Sequence, residues 1–125
     1  MIHLDTNFLI RGLVRGTPQD KMLRDCLRSG EKLGMSTVAW AELLCGPIDT
    51  HHLELATAIV SERVPLLEDD SALAARLFNE SGRRRGTLAD CMIAATSLRL
   101  KAPLATANPA DFIRFEKSGL TLLTA

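Results

Sequence analysis

The chain has 125 residues, 46% of them apolar and 24% charged, which suits one domain with a sizeable core and excludes a disordered chain. Lysine plus arginine equals aspartate plus glutamate at 15 each, so there is no bulk basic field to hold a polyanion; four Phe, one Trp and no Tyr exclude an aromatic base-stacking platform. Cys26, Cys45 and Cys91 are odd in number and lack C-x-x-C spacing, which argues against a disulfide framework or a zinc site. No basic-then-apolar leader and no bilayer-length apolar run occurs, so no signal peptide or membrane span is expected and a reducing cytoplasm is the natural setting.

Met1 to Asp5 reads as a short strand. Thr6-Asn7 can cap a following helix, in which Phe8, Leu9, Leu13 and Val14 recur at helical spacing up to Gly16. Thr17-Pro18-Gln19-Asp20 is a helix start, with Pro at the first helical position and an acid in the first turn, and Gly30 ends that helix. Leu33 to Thr37 is a second strand, and from Val38 to Leu44 the pattern turns helical before Gly46-Pro47. A further helix runs from Asp49 to Glu62, with Leu53, Ala56, Ile59 and Val60 on one face. Val64 to Leu67 is a short strand or an apolar link, because Pro65 weakens a strand. Ser71 to Glu80 is helical and Gly82 to Gly86 is a basic loop. Thr87-x-x-Asp90 then opens, in capping-box form, an Ala-rich helix through Leu100. Ala102 to Thr106 reads as a strand, Pro109 to Phe115 as a short helix and Leu120 to Leu123 as an edge strand. Strands alternating with helices imply a parallel sheet covered on both faces: a three-layer α/β/α domain over residues 1–125 with four or five short strands.

Each acidic residue has a bland role available. Asp5 can cap the first helix, Asp90 can complete the Thr87 capping box, Asp111 can favour a helix dipole and Glu42 can sit on a solvated face. Their joint placement says more. Asp5 ends the first strand, Glu42 lies one turn beyond the second, and Asn108 and Asp111 follow the strand ending at Thr106. The C-terminal strand ends of an open parallel sheet share one edge, where ligands bind. Asp90 reaches that edge if its helix begins there. Four carboxylates in one crevice repel one another unless cations neutralise them, and oxygen donors without His or Cys select Mg²⁺ or Mn²⁺. Glu42 and Asp90 are also lone charges in apolar helical runs, which calls for a partner that no nearby residue supplies.

Asp5-Thr6-Asn7 after an apolar strand resembles the opening motif of the PIN-domain nucleases. Ala41-Glu42-Leu43 resembles their second element, Leu88 to Ala95 around Asp90 their third, and Thr106 to Phe112 their fourth. Size and motif style are similar to the VapC-type toxins of toxin–antitoxin pairs. By that resemblance the fold is PIN-like, and Asp5, Glu42, Asp90 and Asp111 are catalytic metal ligands, with Asn108 sharing the fourth position. Thr6, Asn7 and Thr106 orient those ligands. The resemblance implies a Mg²⁺- or Mn²⁺-dependent endoribonuclease, an RNA substrate, a cognate antitoxin and a homodimer. The residues alone do not separate RNA from DNA.

Arg83-Arg84-Arg85, between two glycines and just ahead of the Asp90 helix, is the candidate phosphate-guiding patch, which Arg11, Arg15, Arg114 and Lys117 can extend. His3, His51 and His52 form no persuasive nucleophile pair, and Cys45 and Cys91 read as buried small apolar residues. The competing readings are a catalytically silent PIN-like interaction module and a receiver-type signalling domain. The receiver reading needs paired early acids that Asp5 lacks and a Lys beyond the last strand, whereas Lys101 precedes its strand. A common metal-dependent phosphatase needs a D-x-D start, which is missing.

Overall fold

The computed structural model describes residues 1–84 and 87–125. Five short parallel strands form one sheet: β1 (Ile2–Leu4), β2 (Leu33–Ser36), β3 (Glu62–Val64), β4 (Leu104–Ala105) and β5 (Leu122–Leu123), in the order β3-β2-β1-β4-β5. The helices α1 (Thr6–Gly12), α2 (Pro18–Arg28), α3 (Thr37–Cys45), α4 (Thr50–Ile59), α5 (Glu68–Glu80) and α6 (Leu88–Leu100) flank it in a three-layer α/β/α arrangement. The first strand is therefore the middle of the sheet, with Ile2 opposite Leu33 on one side and Leu4 opposite Ala105 on the other. Leu4, Phe8, Leu33, Met35, Ile93 and Phe112 are fully buried around it, each contributing roughly 1.5–3 kcal/mol by leaving water.

Close approach beside β1 requires a glycine. A Cβ on Gly34 would lie 2.5 Å from the Met1 sulfur and 3.1 Å from the His3 ring. His3 is wholly buried there, and burial lowers its imidazole to a pKa of about 4 against the weaker raising effect of Glu62, so the ring is neutral.

Local caps follow the sequence at several ends. Thr17 accepts from the Asp20 amide at 3.0 Å with Pro18 at the first helical position, and Asp49 accepts from the His52 amide at 2.8 Å. Elsewhere tertiary pairing overrides periodicity. The helix α4 stops at Ile59, not Glu62, because Glu62–Val64 pair with Gly34–Ser36 as the edge strand β3. The helix α1 ends at Gly12, leaving Leu13 and Val14 in the turn that precedes left-handed Gly16. The helix α5 begins at Glu68, a turn earlier than expected, since Asp70 Oδ2 accepts from the Leu67 amide at 2.9 Å. The other Asp70 oxygen accepts from Arg99 Nε at 2.7 Å, and this contact ties α5 to α6. Pro109 to Phe115 is not one helix but the start of two 3₁₀ turns, Pro109–Asp111 and Ile113–Ser118. Among the described residues no helix is long and apolar enough to cross a membrane.

Candidate active site

Asp5 follows directly on β1, so its position is set by the centre of the sheet. Its amide donates to the Ala105 carbonyl of β4 at 2.9 Å. Its Oδ1 accepts from the Thr6 amide at 2.8 Å, which caps α1, and its Oδ2 accepts from Thr106 Oγ1 at 3.0 Å. The cap and the cleft role thus coexist, because a carboxylate has lone pairs for both. Thr106 is fully buried and also accepts from the Asn108 amide at 3.0 Å, which fixes the turn after β4.

Thr6 faces α3. Its hydroxyl donates to the Ala39 carbonyl at 2.9 Å and, at a longer 3.3 Å, approaches Glu42 Oε1. A hydroxyl has one hydrogen, so the shorter contact is the main bond and Glu42 is held more loosely. Glu42 itself is exposed, which corrects the expectation that its charge is stranded in an apolar environment. Only Ala39 and Leu43 of α3 are buried, and the helix turns its other side outward.

Asp90 is half-buried near the start of α6. The expected Thr87 capping box does not form: Thr87 has φ −102° and ψ −1°, and its hydroxyl donates to the Arg84 carbonyl at 2.6 Å instead of to the helix. The Asp90 carboxylate is therefore not engaged in a cap with Thr87. Asp111 lies in the first 3₁₀ turn, held by a 3.0 Å bond from its amide to the Asn108 carbonyl.

Asp5, Thr6, Asn7, Ile10, Glu42, Asp90 and Asp111 line one cleft of about 260 Å³. Four acids from four separate segments meet there, and among the described residues no Lys or Arg is in the lining. Asn108 is not in the lining, and its backbone shapes the turn that presents Asp111. Burial raises the Asp5 carboxyl to about 6; the Thr106 and Thr6 bonds oppose this, while the charges of Glu42 and Asp111 add to it. Asp90 is raised to about 6, first by burial and then by Asp111, Asp5 and Glu42, with Arg114 pulling the other way.

This donor set fits a hard divalent cation. Among the described residues its donors are all oxygen, with no thiolate, imidazole or basic side chain in the lining. Among the described residues no three acidic, histidine or cysteine side chains enclose a single point for an ion. Side-chain rotation within the cleft would be needed to bring them onto one.

The remaining expectations divide. Arg83 and Arg84 are exposed in the loop ahead of α6, Arg83 with a left-handed φ of 55°, while Arg85 lies outside the described residues. Arg11, Arg15 and Lys117 are exposed as well. Arg114 is not an outward guide: it is half-buried, with its guanidinium carbon 4.4 Å from the Phe115 ring centre. Cys91 is buried as expected, but Cys45 is exposed at the end of α3. His52 Nδ1 pairs with Asp49 at 2.9 Å on the surface of α4.

A family model described as the PIN domain matches residues 2–118, and the chain belongs to that family. Among solved structures, the chain is similar to VapBC2 from Rickettsia felis bound to a fragment of promoter DNA, with a TM-score of 0.77 and 18% identity over 100% of this chain and 99% of that one. VapBC-1 from nontypeable Haemophilus influenzae is 28% identical with a TM-score of 0.71, covering 99% of this chain and 98% of that one. DNA-bound VapBC from Salmonella typhimurium has a TM-score of 0.73 at 18% identity, over 99% and 98% of the two chains. A search of curated proteins finds no match.

Proposed function

We propose that this PIN-domain chain is a Mg²⁺- or Mn²⁺-dependent endoribonuclease and the toxin of a toxin–antitoxin pair. The observation that carries the reading is the convergence of Asp5, Glu42, Asp90 and Asp111 on one cleft, with no basic residue in its lining among the described residues. These four would hold the cation. When bound, a divalent ion supplies a hydroxide-generating water and charge stabilisation at the scissile phosphate. Thr106 and the Thr6 amide keep Asp5 turned into the cleft, and Thr6 fixes α3 against β1 so that Glu42 stays opposite. Arg83 and Arg84 guide the phosphate backbone toward the cleft, with Arg85 as a further member of the same run. No side chain needs to act as a nucleophile.

Two partners follow from the same reading. VapBC structures, one of them from a family described as toxin–antitoxin systems, support a cognate antitoxin. A groove in which Leu13, Val14, Leu23, Leu27, Leu55 and Ile59 alternate with charged and polar residues such as Arg15, Asp20 and Arg24 offers it a surface. A homodimer and a cytoplasmic setting belong to the same proposal, the latter in keeping with free Cys26, Cys45 and Cys91.

The test compares cleavage of single-stranded RNA by the parent, Asp5→Asn and Asp90→Asn, with Mg²⁺, with Mn²⁺ and with chelator. Cleavage by the parent alone, and only with metal, is expected. Activity that persists through both the substitutions and the chelator would overturn the metal-nuclease reading. Absence of cleavage by a metal-loaded parent would instead favour a silent interaction module.

A further inference from the structure

The acidic cleft does not end at its acids. Ile10, which lines it, is also a wall of a second hollow of about 290 Å³, shared with Leu13, Val14, Leu43, Gly46 and Ile48. The two hollows are successive stretches of one furrow along α1 and α3. On α1, Thr6 and Asn7 line the cleft, Ile10 lines both hollows, and Leu13 and Val14 follow just past the helix end. On α3, Glu42 lines the cleft, while Leu43 and the capping Gly46 line the second hollow. A helical turn advances about 5.4 Å, so the second hollow begins within one nucleotide of the acids. Its chemistry is the opposite of theirs. Among the described residues no acid, lysine or arginine lines it, and its one polar side chain is His52, whose Nδ1 pairs with Asp49 at 2.9 Å. Ile10 and Val14 are 43% and 54% exposed, so folding leaves this apolar wall open to solvent.

We propose that this hollow receives one base of the RNA strand, the base beside the phosphate held at the acids. This rests on the nuclease reading above. Charge sorts the parts of a nucleotide: a cation at the acids takes the anionic phosphate, and a wall without charge takes the neutral base. An unstacked base can lie between aliphatic as well as aromatic side chains, so the scarcity of rings is no obstacle. At about 290 Å³ the hollow stands at the lower end of the roughly 300–1,000 Å³ of small-molecule sites, room for a base and not for a longer stretch of strand. Single-stranded RNA supplies such a base, since its bases can be splayed out. The hollow also meets the groove offered to the antitoxin, at Leu13, Val14 and His52, which makes a protein side chain the rival occupant. Its continuity with the acids through Ile10 favours the base.

The experiment uses the full chain with Mg²⁺, as parent, as Ile10→Ala, as Val14→Ala and with both substitutions. A single-stranded RNA oligonucleotide of mixed sequence first identifies the bond that the parent cuts fastest. The same oligonucleotide is then made with an abasic ribose on one side of that bond, on the other, or on neither, and kcat/KM is measured for each. Even one missing methylene in an apolar pocket changes discrimination by about 10–200-fold. The parent is therefore expected to prefer intact RNA by about 10-fold or more over one of the two abasic forms. The double substitution should lower kcat/KM on intact RNA by about 10-fold and leave that abasic form little changed, so that the preference disappears. A second readout needs no turnover. Asp5→Asn is titrated with intact or abasic RNA, and the amide NMR shifts of Leu13, Gly46 and Ile48 should move with the intact form only.

Equal cleavage of the intact and both abasic RNAs by the parent would overturn the proposal. An equal loss on intact and abasic RNA in the double substitution would overturn it too, since Ile10 and Val14 would then act only on the shape of the cleft. No loss at all would leave the hollow to a protein partner and overturn it as well. Both side chains lie outside the buried core, and should the double substitution fail to fold, Val14→Ala alone decides. Failure of the nuclease reading is separate: the parent would then cleave nothing, and the amide shifts would decide, their absence at Leu13, Gly46 and Ile48 overturning the base pocket.

Discussion

The hydroxyl of Thr106 donates to the carboxylate of Asp5 at 3.0 Å across 101 residues of chain. One bond thus links the end of the first strand to the turn after the fourth, and it holds an acid that lines the cleft from its buried side. Thr106→Val keeps the shape and removes the hydroxyl. It leaves the Asn108 amide without its acceptor and Asp5 without one donor. Cleavage is expected to fall 10–100-fold, and unfolding in urea should show a loss of about 1–3 kcal/mol. An unchanged single-turnover rate would remove Thr106 from the working site.

The raised carboxyls make a stability prediction with a definite sign. Asp5 and Asp90 both stand at about 6, against an ordinary 3.8. The fold therefore prefers their protonated forms. That stabilisation is complete below about pH 4 and is lost as the pH rises through about 6. For buried Asp5 the loss is on the order of 3 kcal/mol in metal-free protein. Asp5→Asn cannot ionise, so it should flatten this part of the pH profile and exceed the parent in stability near neutral pH. Urea melts across that range in chelator check it. Binding of the cation should run the opposite way, tightening as the pH rises through about 6, since both carboxyls must ionise to hold it.

Asp70 and Arg99 form a buried tie unrelated to the cleft. Burial pushes the Asp70 carboxyl up, but the Arg99 hydrogen bond, the Leu67 amide and the Arg99 charge outweigh it, and its pKa falls below the ordinary value. Its contribution is present above about pH 4 and lost as the pH falls through the lowered value. Asp70→Asn should cost about 2–3 kcal/mol and move acid unfolding to higher pH. Since the pair joins α5 to α6 and touches no acid of the cleft, kcat at neutral pH should be unchanged. A large loss of kcat in a folded variant would contradict this.

The exposed loop arginines predict an electrostatic signature. Arg83→Glu combined with Arg84→Glu should weaken RNA binding and flatten the dependence of log affinity on log salt. The slope should change by about 0.7 for each single-strand phosphate that the arginines no longer neutralise. The Thr87 bond uses the Arg84 backbone carbonyl, so side-chain exchange leaves the start of α6 intact. Titrations at several salt concentrations check it; an unchanged slope would exclude the guiding role.

Much of the architecture was legible because it depends on short-range rules. Thr17-Pro18 starts a helix, the edge strand at Leu122–Leu123 follows a left-handed Gly119, and the alternation of elements implies a parallel sheet. Chain position also marked Asp5, Glu42, Asp90 and Asp111, since each follows a strand end or opens a helix. The reason given for one of them did not hold, and the ordinary structural role open to another is absent. Glu42 is exposed and not a stranded charge, and Asp90 completes no cap, because Thr87 bonds backward to Arg84. Helical periodicity could not foresee that Glu62–Val64 would leave α4 to pair with β2, or that Asp70 would reach Arg99.

By itself, then, the sequence determined which residues carry the acids, their order and the elements that present them, since caps, turns and strand ends are settled within a few residues. Only the tertiary structure decided that β1 lies at the middle of the sheet, that Asp111 and not Asn108 lines the cleft, and that Arg114 folds inward over Phe115. Those outcomes depend on contacts between segments up to a hundred residues apart. They are chosen by burial of the whole core, which no local pattern contains.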